Sequence, residues 1–226
     1  MNNKEMKPMK YLQVVFFTGL AAVASHVAAQ SEGVWSVKAG YNQFRPQVKS
    51  GDITGVPGAK VDVDKGGAVF GSASYMLTDN ISAEFAFGVP PKLAIKGDGV
   101  IAQAGKIAET KVWSPILMAQ YRFGNATSML RPYVGFGASY VKFRDVETTP
   151  ILSVLTNPGG STSASIDSAW GPVAQLGVTY NFGGKWFLDS SIVPMRLKST
   201  AHLSTGQKVD VRVNPILVNL AIGVHF

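Results

Sequence analysis

The last sixteen positions, residues 211–226, repeat with a period of two. Ile216, Val218, Leu220, Ile222, Val224 and Phe226 share one face, and Asn214, Asn219, Ala221, Gly223 and His225 mostly fall on the other, with one slip of phase near Leu217. Successive side chains of a strand point to opposite sides, so this is an apolar, uncharged face backed by small and polar groups. In a soluble sheet that face would need a core to cover it. Against lipid it needs none, and its reverse can meet a polar interior, as in the closing strand of a membrane barrel. Buried amphipathic strands share the pattern, so the rest of the chain must decide between them.

The front of the chain narrows the choice. Lys4, Lys7 and Lys10 precede an apolar run over residues 11–24, and Val27, Ala28 and Ala29 place small residues before Gln30. The run is too short to span a bilayer comfortably and ends where a secretory signal is cut, so residues 1–29 read as a signal peptide and 30–226 as the mature domain. Cleavage removes three lysines and Glu5, which lowers the formal net charge from +7 to +5. The basic residues form no run along the sequence, and export makes a nucleic-acid partner unexpected. There is no cysteine, so no disulfide staples an exported fold. A closed barrel supplies the alternative, because every backbone group pairs between strands.

The same alternation recurs along the mature chain. Segments near 34–42, 67–77, 81–88, 112–123, 130–143, 168–180 and 186–197 precede the final one. Short turns at 78–80, 124–128 and 181–185 alternate with long connections at about 43–65, 89–111, 144–167 and 198–208. Eight alternating segments with short turns at one rim and long loops at the other predict an all-β, eight-stranded antiparallel transmembrane β-barrel of up-and-down topology. Tyr121, Phe123, Tyr180, Phe182, Trp186 and Phe226 gather at strand ends, as an interfacial aromatic girdle requires. Glu84 sits mid-strand, where a carboxylate belongs in a wet interior. Pro90 and Pro91 remove two N–H donors from the wall.

Specific strings then resemble the OmpW family of small outer-membrane barrels: YMLTDNISAE from Tyr75, PILMAQYRFG from Pro115, RPYVGFGASY from Arg131, SAWG from Ser168, and the closing aromatic strand. FGVPPK from Phe87 is more similar to the alkane-uptake members, the AlkL type. The resemblance implies an eight-stranded barrel in the cell outer membrane, apolar toward its extracellular side, that takes up small hydrophobic molecules and releases them sideways through its wall. Pro90 and Pro91 are the expected lateral opening, with Pro115 and Pro172 secondary. Carried over by position, Ala86 and Trp170 constrict the lumen, although Ala86 is smaller than the leucine of the enterobacterial members. Phe70 and Met118 join them as candidate lining residues on strand phase. Phe226 is the expected recognition signal for the barrel assembly machinery.

Catalytic chemistry finds no footing. His26 lies in the signal, His202 in a loop and His225 at the end, so no histidine cluster can hold a metal or build a triad. Asp62 and Asp64 read as solvated turn carboxylates, and Gly135 to Ser139 is strand, not a nucleophile elbow. Glu84, Arg122 and Arg131 are instead expected to form a polar network in the lumen. The sequence therefore predicts no cofactor and no metal. The expected partners are outer-membrane lipid and small hydrophobic solutes, around a monomer or weak oligomer. A structural or adhesive barrel without transport, and a soluble lipocalin-like ligand binder, are the alternatives.

Overall fold

A computed structural model describes residues 30–226, so the secretory signal expected at 1–29 lies outside the described residues. Eight antiparallel strands close on themselves: β1 (Trp35–Arg45), β2 (Gly66–Met76), β3 (Ile81–Gly88), β4 (Ile116–Arg122), β5 (Leu130–Thr148), β6 (Ala169–Gly183), β7 (Trp186–Pro194) and β8 (Ile216–His225). Each pairs with its sequence neighbour. The ring is sealed where β1 meets β8, in register from Ser36 opposite His225 to Arg45 opposite Ile216.

The period-two pattern is what makes these strands and orients them. Val37, Tyr41, Phe85, Leu117, Phe136, Leu176, Leu220 and Ile222 all stand exposed on the outer face, while Ser36, Lys38, Ser82, Glu84, Arg122 and Asp189 are buried inside. An apolar exterior around a polar interior is the reverse of a soluble lipocalin. The final strand keeps strict phase. Leu217 faces the cavity and Asn214 the exterior, so the slip near Leu217 is a change in the inner face from polar to apolar, with no irregularity of the backbone.

Short turns close the lower rim. Thr78 Oγ1 accepts the backbone N–H of Asn80 and of Ile81, and Gly183 and Gly184 take φ values of 122° and 56° that bulge the β6–β7 turn. The expected aromatic girdle is there: Tyr121, Phe123, Tyr180, Phe182 and Trp186 are all exposed near this end.

The long connections are more ordered than the loops the sequence predicted. Within 89–111, Lys92–Gly99 pairs with Lys106–Trp113, which in turn pairs with the upper part of the 19-residue strand β5. Ala59–Val63 joins this hairpin's outer edge. Leu197–Leu203 and Lys208–Val213 form a second hairpin, flanked by Ala164–Ile166 and Val48–Ser50. A short helix, α1 (Pro150–Thr156), lies between β5 and β6. These pieces carry the wall beyond the bilayer because each has an apolar face of its own: Ile53, Ala59, Val61, Ile107, Leu152 and Val209 bury together inside the extension. Glycines and charges on the outward positions conceal that alternation in the sequence.

Candidate functional site

The interior divides into two zones. Toward the short-turn rim it is filled with polar groups. Lys38 Nζ lies 3.1 Å from Glu84 Oε2 and 2.9 Å from Asp189 Oδ1, with all three side chains almost completely buried. Tyr133 donates its hydroxyl to Asp189 at 3.0 Å, and Gln120 Nε2 donates to Glu84 at 3.0 Å and to Gln175 at 2.8 Å. Arg122 donates to Gln120 Oε1 at 2.8 Å and to Thr179 Oγ1 at 3.0 Å, with its guanidinium 4.7 Å from the centre of the Tyr133 ring. Below it Arg131, fully buried, donates to the carbonyls of Gln30 and Asp79 at 3.0 and 2.7 Å. Among the described residues no buried side-chain nitrogen or oxygen lacks a hydrogen-bond partner. A network this complete is a rigid plug, since breaking any member strands a buried polar group.

The expected network of Glu84, Arg122 and Arg131 is therefore present, with a different wiring. Glu84 pairs with Lys38 rather than with either arginine, and Asp189 is the second carboxylate. Lys38 and Asp189 were legible by the criterion that selected Glu84. Each is the only charge on the inward set of its strand.

Above the plug the chemistry changes over one or two residues per strand. Ile116, Met118, Val141, Val173, Val193 and Met195 form a buried apolar cluster. A cavity of about 200 Å³ sits there, floored by Glu84, Gln175 and Asn219 and roofed by the apolar extension. Phe70, Ala86 and Met118, all expected to line the lumen, do line it. The small Ala86 leaves room at its level instead of a constriction.

Trp170 is a correction. It is 72% exposed on the outer face, its ring 4.9 Å from that of Tyr140. The cause is phase: Trp170 is an even number of residues from Ala174 and Leu176, which also face outward. It serves as an aromatic anchor at the upper interface, and position matching alone had put it inside.

Pro90 and Pro91 border a seam in the wall. Val89 N–H still donates to the Val69 carbonyl, and these segments meet again where Asp64 N–H donates to the Ala94 carbonyl. Between those links, Gly66, Gly67 and Ala68 pair only with β1, on their far side. Gly88, Val89, Pro91 and Leu93 all line the cavity, so the apolar chamber reaches this seam. The carbonyls of Pro115 and Pro172 accept the backbone N–H of Tyr140 and Arg196, as that of Pro91 accepts from Val112. Phe226 exchanges backbone hydrogen bonds with Trp35 at the closure.

Comparison with known proteins agrees with this geometry. A sequence model of the OmpW family matches residues 31–226. Outer membrane protein W of Vibrio cholerae is 34% identical over 92% of this chain and 95% of its own. Outer membrane protein AlkL of Ectopseudomonas oleovorans is 25% identical over 88% of this chain and 85% of its own. The crystal structure of OprG from Pseudomonas aeruginosa superposes with a TM-score of 0.78 over 88% of this chain and 98% of that one, at 23% identity, which is a likeness of fold.

Proposed function

Because the chain belongs to the OmpW family, and so is a non-enzymatic barrel of the cell outer membrane, we propose that it admits small hydrophobic solutes into its upper lumen and releases them sideways into the bilayer at the Pro90–Pro91 seam. The observation that carries this reading is the position of the apolar chamber. It stands directly on a closed polar plug and opens toward the Pro90–Pro91 stretch of wall, where Gly66, Gly67 and Ala68 pair on one side only. An apolar solute loses about 25 cal/mol per Å² of buried apolar surface if it re-enters water or a hydrated channel, so the plug blocks it and the lipid draws it. A cavity of this size suits a small hydrocarbon, since a dry cavity of about 150 Å³ takes up benzene. Phe70, Ala86 and Met118 line the path, Pro90 and Pro91 frame its exit, and Phe226 presents the C-terminal aromatic to the barrel assembly machinery. The barrel works as a monomer or in weak association, since one wall contains the whole path.

The test is uptake of a medium-chain alkane or a terpene by liposomes carrying the mature barrel. Met118→Glu, which puts a charge in the chamber, should abolish the protein-dependent flux. Gly66→Phe should slow it several-fold, because a side chain added at Gly66 runs into Leu93 at the inner lip of the seam. Flux unchanged in both folded variants would leave a structural or adhesive barrel as the better reading.

A further inference from the structure

The outer wall carries a second site, unrelated to the solute path. Above the membrane zone on the β7–β8–β1 side, cross-strand register lines up cations from segments distant in sequence. Lys198 stands opposite Arg212, and Arg212 opposite Lys49. All three are exposed and share one face, because directly paired residues of antiparallel strands point the same way. Arg196 is on the same face two residues below Lys198, and Arg45 two rows below Lys49. Rows two residues apart are about 7 Å from one another, and neighbouring strands about 5 Å. Lys49, Arg196, Lys198 and Arg212 therefore occupy a patch about 10 Å wide and about 7 Å tall, with Arg45 about 14 Å below Lys49.

Arg45 donates to Gln43, and Lys49, Arg196, Lys198 and Arg212 have no carboxylate partner among the described residues. Two acids share this face and both are engaged beside the row: Asp210 accepts from Thr200, and Asp167, next to Thr200 on the neighbouring strand, pairs with His202. Like charges in direct cross-strand register destabilise a sheet, so this row costs stability unless something anionic sits on it. Immediately below lies a groove of about 520 Å³ in the lipid-facing wall, bordered by Phe136, Pro172, Ala174, Pro194 and Ile216, with Arg196 at its upper lip. The groove lies where Pro172 and Pro194 both lack an N–H, so the β6–β7 ladder is interrupted between Leu176–Ile192 and the bridge at Val173–Met195 without a change of register.

We propose that this is a binding site for one phosphorylated lipid of the outer leaflet. An acyl chain fills the Phe136–Pro172–Ile216 groove, and the headgroup phosphates are held by Arg196, Lys198, Arg212 and Lys49. Charge above and hydrocarbon below match both ends of such a lipid at the depth where it resides, which neither a free anion nor a hydrocarbon would do. Nothing in this proposal depends on transport through the lumen.

The probe is bisphosphorylated lipid A, added to the detergent-solubilised mature barrel and followed by native mass spectrometry. Each surface cation contributes about one kcal/mol of attraction to an anionic headgroup, so Lys198→Gln with Arg212→Gln should weaken retention roughly thirtyfold. Lys60→Gln with Lys65→Gln removes the same charge elsewhere on the extension and should leave it unchanged. Dephosphorylated lipid A should be retained poorly by the wild type. Ala174→Phe, which fills the groove, should weaken lipid A without altering the cations. Circular dichroism and heat-modifiable gel mobility confirm that each variant is folded. Equal loss in both double variants, equal retention of the dephosphorylated lipid, or displacement by inorganic phosphate at matched concentration would each overturn the site.

Discussion

The lower and upper halves of the interior are built on the same eight strands and solve opposite problems. Below, Lys38, Glu84, Asp189, Arg122 and Arg131 fill the cross-section, three cations against two carboxylates. Above, Ile116, Met118 and Val141 border a chamber lined mainly by apolar side chains. Burying charge demands partners for every donor and acceptor, and that demand freezes the lower half. Apolar packing makes no such demand, so the upper half can hold space. A barrel of eight strands is just wide enough for side chains to fill it. Where it stays open, therefore, follows from which residues face inward.

This contrast predicts a ranking of mutational costs. Lys38→Met leaves Glu84 and Asp189 buried without their cation and should cost about 3–5 kcal/mol in urea unfolding from lipid. Adding Glu84→Gln and Asp189→Asn to that variant should recover much of the loss, and a triple variant no more stable than the single one would show that the ion pairs are not what holds the plug. Met118→Ala, on the chamber side, should cost about 2 kcal/mol, the low end for such a truncation because the site already borders open space. It should also admit bulkier solutes. Trp170→Ala should cost less, about 1 kcal/mol through the lost Tyr140 contact. Brominated lipid should quench Trp170 fluorescence while an interior solute leaves it unchanged, and the reverse pattern would return this residue to the lumen.

The smallest effect lies in the extracellular extension. Hydrogen bonds from Lys106 and Lys92 hold the Glu109 carboxyl down at about 2, from 4.5. A depressed folded value means that this tie is fully present above pH 4.5 and is lost as pH falls toward 2. Hydrogen exchange in the Lys92–Gly99 and Lys106–Trp113 hairpin should accelerate across that window, and only slightly, since the pair is on the surface. Glu109→Gln should remove the pH dependence.

Strand number, topology and girdle were legible because lipid outside and a lumen inside impose a period of two on nearly every barrel segment. Phe70, Met118 and Glu84 followed from that phase, and Ala86 from position matching that agreed with it. Trp170 was misplaced where position matching overrode it, although the even spacing to Leu176 already pointed outward. Lys38 and Asp189 carried the same signal as Glu84, yet their pairing did not, since it joins strands 151 residues apart. The hairpins of the extension were hidden by glycines and surface charge. The cation row was invisible in principle: Lys49, Lys198 and Arg212 meet only through register, which a linear sequence does not display.

The most direct test is to locate a bound solute by methyl contacts in lipid-embedded barrel, using magnetic resonance with a deuterated background. The account predicts contacts from a medium-chain alkane to the methyl groups of Met118, Ala86 and Val89, and none to Thr179 within the plug. Contacts at Thr179 with those at Val89 missing would mean that the solute travels down through the polar half, and would contradict a sideways exit.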